Sequence, residues 1–259
     1  MDSSLLLRPQ AQAVRPSFLT AVSATRHKSV VLLPTYNESQ NLVRITSAIA
    51  AMADVDVMVL DDNSADGTGD IADQIAKDNP HVSVVHRPQK RGQGRAYLDG
   101  MQRALDLGYE RVVTMDADFS HPPDKLRSLI EASKTHDVVV ASRAIHGGAS
   151  QNRTALRQLI SASGGFYART VLGLDVRDLT SGFKCLRREV LEAVDLKSIT
   201  ANGYAFHIEL TYRAVSGGFS LVELPYTFVD RAVGKSKMSS AIMLEAFLLC
   251  PKLRMQRRD

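Results

Sequence analysis

The sequence predicts an α/β fold in which helices flank a mostly parallel sheet. Short apolar segments typical of buried strands alternate with segments in which apolar residues recur at helical spacing. Polar residues directly follow several of the apolar segments. Because ligands bind such sheets at the carboxyl ends of the strands, these observations also predict where a functional site lies.

The predicted elements begin at residue 29 and alternate regularly. Residues 29–34 form an apolar run that ends at a proline, and residues 38–52 have helical spacing. A second apolar run, 55–60, precedes a polar segment and a helix predicted at about 69–77. The later apolar runs predict strands at 82–86, 111–115 and 137–141, and the patterns between them predict helices at 94–107 and 123–134.

Length and composition predict one large soluble domain. The 259 residues are 44% hydrophobic, which is enough for a sizeable core. The net charge of +4 comes from the chain ends, since residues 1–28 and 250–259 each carry +3. This distribution predicts that the ends contact an anionic surface, and it predicts no nucleic-acid partner. Cys185 and Cys250 have neither metal-ligand nor disulfide spacing, which predicts a reducing compartment.

Residues 1–28 are predicted to form a flexible basic leader. The segment is rich in Ser, Ala and Arg and nearly free of acidic residues, so a cleavable targeting segment is the alternative. No apolar run reaches the roughly 18 residues that span a bilayer. The nearest run, 241–250, is too short and is interrupted by Glu245.

Asp116 and Asp118 are the most informative pair of residues. They follow the apolar run 111–115, and in extended backbone their spacing places both carboxylates on one face. Paired carboxylates at a strand end suit Mg²⁺ or Mn²⁺, which bind carboxylates together with substrate phosphates. The pair therefore predicts a diphosphate site, and the alternative is a solvated turn closed by Pro122 and Pro123.

Five predicted strands bring polar groups to one edge of the sheet. In chain order these groups are residues 34–38, 61–64, 91–94, 116–118 and 142–143. Each group alone has a structural explanation: Glu38 suits the first turn of a helix, residues 61–64 suit a helix cap, and Gly92-x-Gly94 suits a turn. Their occurrence together favours a binding site.

Seven motifs form a specific combination between residues 29 and 237. They are Pro34-Thr35-Tyr36-Asn37-Glu38, Asp61-Asp62-Asn63-Ser64-x-Asp66-Gly67-Thr68, Gly92-x-Gly94, Met115-Asp116-Ala117-Asp118-x-Ser120-His121-Pro122-Pro123, Ser142-Arg143, Asp178-Leu179-Thr180-Ser181-Gly182-Phe183 and Val229-Asp230-Arg231-x-x-Gly234-x-Ser236-Lys237. With these motifs the chain resembles family 2 glycosyltransferases of the dolichol-phosphate mannose synthase type. The resemblance implies a single GT-A domain over residues 29–237, a GDP-mannose donor, a dolichyl phosphate acceptor, a divalent cation (Mg²⁺ or Mn²⁺) and inversion at the anomeric carbon.

The resemblance also implies roles for individual residues. Around the nucleotide it places Pro34, Tyr36, Glu38, Leu60 and Asp62. At the diphosphate it places Ala117 and a catalytic set of Asp116, Asp118 and Arg143, in which the two carboxylates bind the metal. Arg231 and Lys237, with Arg153 nearby, would bring positive charge to the phosphates. Some relatives have Gln at the position of Ser120, where it can ligate the metal, and serine is a weaker ligand.

Three further features carry predictions with open alternatives. The Gly-rich segment 144–150 is predicted to be a mobile loop that orders over the donor, or else a short linker. Glu209 either orients a cation or the acceptor, or is a surface acid paired with Arg213 four residues on. His207 is interpreted as a packing residue.

Residues 238–259 are predicted to form an amphipathic, basic C-terminal segment. Its apolar helical face and following cations suit an anionic membrane surface, with docking on the protein's own core as the alternative. Pro251 is expected to kink or stop the helix. The apolar residues of 155–172 either pack in the core or help hold the lipid. The resemblance implies peripheral attachment to the cytosolic face of the endoplasmic reticulum membrane, with small membrane-anchoring subunits as partners.

Three other functions remain open from the sequence. A dolichyl-phosphate glucosyltransferase that uses UDP-glucose would differ in few contacts. A phosphatase of the haloacid dehalogenase type also has Asp-x-Asp after a strand, although its usual downstream pair of acids is not found here. A non-catalytic sugar-nucleotide sensor or assembly subunit would bind the donor without turnover.

Overall fold

The computed structural model describes residues 28–151, 155–201, 203–229 and 240–256. The strands are β1 (Ser29–Thr35), β2 (Asp56–Asp61), β3 (Val82–His86), β4 (Arg111–Thr114), β5 (Val138–Ser142), β6 (Ala149–Gln151), β7 (Lys184–Arg187), β8 (Leu221–Pro225) and β9 (Thr227–Val229). The helices are α1 (Leu42–Met52), α2 (Thr68–Asp78), α3 (Gln93–Asp106), α4 (Leu126–Ala132), α5 (Ala155–Leu172), α6 (Arg188–Ala193), α7 (Gly203–Ser216) and α8 (Ser240–Gln256). Short 3-10 turns lie at Pro123–Lys125 and Leu196–Ser198.

Seven strands form one mixed sheet in the order β3-β2-β1-β4-β7-β5-β8. Every pairing is parallel except those of β7, which runs antiparallel to both β4 and β5. The predicted mostly parallel sheet is therefore confirmed, and all five predicted strands lie within one residue of their expected bounds.

The sequence did not predict β7 and β8 of this sheet, nor the three-residue strands β6 and β9. β7 begins and ends with a basic residue, and β8 is interrupted by Glu223, so neither gives a continuous apolar run. The helix expected from residue 38 begins only at Leu42, because residues 38–41 form a turn in which the Glu38 carbonyl accepts the N–H groups of Asn41 and Leu42.

The strand order reverses direction between β1 and β4. From β1 the chain moves outward through β2 to β3, and α3 then carries it back to β4 on the other side of β1. Leu32 of β1 pairs with Thr114 of β4, so the segments that follow these two strands emerge side by side. Open α/β sheets bind ligands in the crevice at such a point.

Alternate residues of the strands enter two core clusters, one on each face of the sheet. One face packs residues such as Val30 and Leu32 against α3, α6 and α7, and the other packs Val31 and Leu33 against α1 and α4. Gly100 allows α3 to approach the sheet closely, since a Cβ there would lie 2.7 Å from Leu60 Cδ1. This close approach brings the start of α3 to the end of β4.

A third cluster joins α5, α7 and α8. Leu249, Cys250 and Leu253 of α8 are buried there against residues such as Leu172 and Ile208. These three apolar residues of α8 therefore pack against the protein's own core, as the alternative to membrane contact predicted. Of the two expected effects of Pro251, the stop is wrong, because α8 continues to Gln256, and the kink stays a prediction. Packing of residues 249, 250 and 253 stabilises the helix on both sides of the proline.

Part of the predicted loop over the donor is a strand. Residues 149–151 form β6, which pairs in parallel with β9. Gly148 lies against the backbone of the preceding turn, where a Cβ would approach the Ser142 carbonyl oxygen to 2.5 Å. Movement of residues 144–148 over a ligand stays a prediction.

The described residues contain no helix that is both long and apolar enough to cross a bilayer. Residues 1–27 of the expected leader (1–28), and residues 238–239 and 257–259 of the expected C-terminal segment (238–259), lie outside the described residues.

A lysine on the antiparallel strand is fully buried. Lys184 lies between β4 and β5, and its ammonium group donates a hydrogen bond to the Ser181 carbonyl oxygen. Burial lowers the pKa of Lys184 from 10.5 to about 7, although the Asp178 carboxylate opposes this shift.

The free energy of unfolding should therefore rise between pH 7 and pH 8.5 through Lys184. Above its folded pKa of about 7 the buried amine is neutral, whereas the unfolded chain still binds the proton, so unfolding takes up a proton. Relative to Lys184→Met, the wild type should gain up to about 1.4 kcal/mol per pH unit in urea unfolding. Parallel pH profiles for the two proteins would contradict the lowered pKa.

Candidate active site at the β1 and β4 strand ends

Asp116 and Asp118 lie directly after β4 and are both half-buried. Met115 and Ala117, which alternate with them, belong to the core cluster on one face of the sheet. Asp118 already lies in the turn after the strand, so the placement of both carboxylates on one face stays a prediction. Asp118 Oδ1 accepts the backbone N–H of Ser120 at 3.0 Å, which closes the turn after the pair.

Three groups hold Asp116. Its Oδ1 accepts hydrogen bonds from Gln93 Nε2 and from the Tyr97 hydroxyl, the latter at 3.2 Å. Its backbone N–H donates to His121 Nδ1 at 2.9 Å. His121 is buried and stacks on Phe183, with ring centroids 5.0 Å apart. Burial lowers the pKa of His121 against the opposing effect of the Asp116 carboxylate, so the ring is a neutral acceptor at this position.

The end of β1 and the segment after it leave the sheet next to β4, because these two strands pair. Pro34 and Tyr36 are half-buried, and the Lys90 ammonium group lies 3.6 Å from the centroid of the Tyr36 ring. Glu38 Oε2 accepts a hydrogen bond from Asn41 Nδ2, and the Glu38 backbone N–H donates to Thr68 Oγ1 at 2.9 Å. The segment after β1 thus carries an aromatic ring with a cation over it and a carboxylate, and β1 is the strand next to β4, which Asp116 and Asp118 follow.

Asp62, after β2, holds the neighbouring loop in place, and its predicted contact with the nucleotide stays a prediction. Its carboxylate accepts hydrogen bonds from the Arg87 guanidinium and from the backbone N–H groups of Arg91 and Gly92. Arg87 is buried and also pairs with Asp99 at 2.8 Å. These contacts fasten the β3–α3 loop to the end of β2, and so fix the start of α3.

Arg143, after β5, forms a bidentate ion pair. Its Nε and Nη2 atoms each lie 2.8 Å from an oxygen of Asp178, and Nη2 also donates to Thr180 Oγ1 at 3.0 Å. Burial alone would raise the pKa of Asp178, but Arg143 holds it at about 2. The guanidinium therefore has a fixed orientation at the rim, 5.2 Å from the centroid of the Phe228 ring.

A family model described as "Glycosyl transferase family 2" matches residues 30–195. The chain belongs to glycosyl transferase family 2. This confirms the family that the sequence motifs indicate, and it sets aside the phosphatase alternative.

Two relatives are similar to this chain over most of its length. One is an undecaprenyl-phosphate mannosyltransferase of Micrococcus luteus, 43% identical over 84% of this chain and 90% of the relative. The other is a polyprenol monophosphomannose synthase of Mycolicibacterium smegmatis, 43% identical over 85% of this chain and 84% of the relative.

A solved structure shares the fold. The mannosyltransferase PcManGT of Pyrobaculum calidifontis, in complex with GDP-Man and Mn²⁺, superimposes with a TM-score of 0.55 at 17% identity. The likeness covers 90% of this chain and 74% of that one. With the family match it confirms the expected GT-A fold.

The residues at the end of β4 suit a divalent cation shared with a diphosphate. The donor set is two carboxylates and Ser120 Oγ, which is buried without a hydrogen-bond partner. Among the described residues, including those at the end of β4, there is no cluster of three or more His, Cys, Asp or Glu side chains that could hold a metal ion without other ligands. Mg²⁺ and Mn²⁺ accept such an incomplete set because substrate phosphates and water complete their coordination. The buried oxygen keeps Ser120 in the predicted metal set.

Two of the residues singled out in the sequence, Leu60 and Glu209, are more buried than expected. The Leu60 side chain is fully buried in the core, so only its backbone is available for the predicted contact with the nucleotide. Glu209 pairs with Arg213 as expected, at 2.6 Å, but the expected surface position is wrong: Glu209 is 1% exposed and also accepts the Ala201 N–H. Arg153, Arg231 and Lys237 lie outside the described residues.

The packing interpretation of His207 is confirmed. The ring is buried with its edge against Tyr97 and Phe206, and burial lowers its pKa well below the ordinary value.

Gln93, Tyr97 and Arg87 were missed by sequence reasoning. Gln93 lies inside the noted Gly92-x-Gly94 motif, and Tyr97 follows it by four residues on α3, which puts both on one helix face. That spacing was the available signal. The strand order, which decides what this face meets, was not visible in the sequence.

Replacing Arg87 with Met should lower the free energy of unfolding by about 3 kcal/mol or more, because it leaves the Asp62 carboxylate buried without its ion-pair partner. Urea unfolding measures this. Arg187→Met is the control: Arg187 is about one-third exposed and lies 3.5 Å from Asp137, so its loss should cost less than about 1 kcal/mol. Equal losses in the two variants would show that Arg87 is not the anchor of the loop.

Proposed function

We propose that this family 2 glycosyltransferase moves mannose from GDP-mannose to a polyprenyl phosphate, such as dolichyl phosphate, and releases GDP. The observation that carries the proposal is the Asp116 and Asp118 pair beside the β1 segment, at the reversal of strand order. Two relatives with 43% identity whose names specify mannose transfer to prenyl phosphates support the choice of sugar and acceptor. A structural relative with bound GDP-Man and Mn²⁺ supports the choice of donor.

In the proposed reaction an oxygen of the acceptor phosphate attacks the anomeric carbon of mannose. The new bond forms as the bond from that carbon to the diphosphate breaks, so the configuration inverts and GDP leaves with both electrons. The acceptor phosphate is already anionic at neutral pH, so the chain need not supply a strong general base.

The protein's own part is to bind, orient and balance charge. Asp116 and Asp118, with Ser120, would hold a bound Mg²⁺ or Mn²⁺, which supplies positive charge to the leaving diphosphate. The nucleotide would be contacted by the backbone of Leu60 and by Pro34, Tyr36, Glu38 and Asp62. Ala117 would lie at the diphosphate. Arg143, oriented by Asp178, would face the phosphates, and Arg231 and Lys237 are proposed to do the same.

The acceptor class is proposed from the relatives, whereas the cellular location stays a prediction from the sequence. Both named relatives are bacterial, and their names specify undecaprenyl phosphate and polyprenol phosphate. We therefore propose a polyprenyl phosphate in a membrane as the acceptor, reached from a peripheral position. A place on the cytosolic face of the endoplasmic reticulum, membrane-anchoring subunits, and a role as mannose donor for glycoproteins and glycolipid anchors stay predictions.

Transfer of radiolabelled mannose from GDP-mannose to dolichyl phosphate, and to undecaprenyl phosphate in parallel, tests the proposal directly. Mannolipid that forms with Mn²⁺ or Mg²⁺ and disappears with EDTA is the expected result. Glucolipid from UDP-glucose in place of mannolipid would overturn the choice of donor. GDP-mannose binding without transfer to either lipid would favour a non-catalytic role.

Asp118→Ala should reduce transfer by about 10³-fold while leaving the thermal unfolding midpoint nearly unchanged, because the diphosphate loses a metal ligand and the carboxylate is not part of the core. Asp124→Ala is the matched control, since Asp124 is an exposed acid six residues away and should keep wild-type transfer. Wild-type turnover by Asp118→Ala would remove Asp118 from the metal site.

A further inference from the structure

Two side chains of α3 converge on the same oxygen of Asp116. Gln93 Nε2 and the Tyr97 hydroxyl both donate to Oδ1, while Oδ2 takes part in neither bond. The donors lie one helical turn apart, so a single helix face delivers both. With Oδ1 committed to α3, Oδ2 is the oxygen that can turn toward a cation.

The position of Tyr97 is fixed by packing. Its side chain is fully buried, stacks on Phe206 with centroids 5.9 Å apart, and meets the edge of His207 at 5.6 Å. Burial raises the pKa of Tyr97 well above its ordinary value, and the Asp116 carboxylate raises it further. The hydroxyl is therefore a proton donor throughout the neutral range.

The start of α3 is itself held in place. The Asp62 carboxylate binds the N–H groups of Arg91 and Gly92, and the buried Arg87 joins Asp62 to Asp99 on α3. At the other side, His121 accepts the backbone N–H of Asp116. The carboxylate and its backbone are thus fixed from two directions before any ligand binds.

We propose that Tyr97 and Gln93 are positioning residues that orient Asp116 for the divalent cation and so raise the affinity of the site for metal. The inference rests on the proposed function, in which Asp116 binds the cation. Partners that orient a ligating carboxylate typically contribute 10- to 100-fold to metal affinity or activity. A purely structural role would affect the stability of the protein and leave metal affinity unchanged.

The test measures Mn²⁺ binding by electron paramagnetic resonance, with the full-length protein and a saturating concentration of GDP. Tyr97→Phe keeps the aromatic stacking and removes only the hydroxyl. We expect it to weaken Mn²⁺ binding by about tenfold, and we expect Gln93→Met to have an effect in the same direction. In mannose transfer, Tyr97→Phe should raise the Mn²⁺ concentration needed for half-maximal rate, and saturating Mn²⁺ should restore most of the rate.

Tyr109→Phe is the matched control. The Tyr109 hydroxyl is also buried and donates to an aspartate, at 2.7 Å from Asp56 Oδ2. Asp56 begins β2, about 17 Å along the strand from the rim at roughly 3.3 Å per residue. This variant loses the same kind of bond, so a shift in thermal midpoint similar to that of Tyr97→Phe, with unchanged Mn²⁺ affinity, is expected.

Asp116→Ala separates the inference from the proposed function. If Asp116→Ala leaves Mn²⁺ affinity unchanged, the metal site itself is wrong. If Asp116→Ala weakens binding and Tyr97→Phe does not, the metal site stands and the positioning role is overturned. In the double variant Tyr97→Phe/Asp116→Ala, no loss beyond that of Asp116→Ala is expected; an additional tenfold loss would mean that Tyr97 acts other than through Asp116.

Discussion

The close pair of carboxylates after β4 is the constraint on which the rest of the site depends. Two like charges only two residues apart in a half-buried segment repel each other, so the structure must supply opposing charge or hydrogen-bond donors. Gln93, Tyr97 and the Ser120 N–H supply part of this compensation. In the proposed function a divalent cation bound with a diphosphate would complete it.

Two arginines near the strand ends are held in fixed orientations by ion pairs. Arg143 is held by Asp178, and Arg87 by Asp62 and Asp99. Burial keeps His121 neutral, so it serves as an acceptor for the Asp116 backbone and adds no positive charge. Such preorganisation places charges before the ligand arrives, and no reorganisation is needed when the leaving group develops its charge.

The parts of the fold that could be predicted from the sequence are those marked by the periodicity of apolar residues. Five strands, their helices and the carboxylate pair follow from apolar runs and from the spacing of Asp116 and Asp118. β7 was not predictable in this way, because it begins with Lys184 and ends with Arg187 and so gives no apolar run. Lys184 becomes buried only when the sheet assembles. Tyr97 could be placed on a helix face, but its contact with Asp116 arises from strand order and from the close approach at Gly100. For Glu209 the spacing predicted the ion pair with Arg213, four residues on, but it did not predict that the carboxylate is buried and accepts the Ala201 N–H.

A crystal structure with GDP-mannose and Mn²⁺, recorded at a wavelength where manganese scatters anomalously, is the most direct test of the central claim. The account predicts one manganese peak within about 2.3 Å of carboxylate oxygens of both Asp116 and Asp118, bridging to the diphosphate. The guanosine should then lie over the segment that follows β1, beside Tyr36 and Glu38. A diphosphate bound with its manganese away from these carboxylates, or a nucleotide bound elsewhere on the sheet, would contradict it.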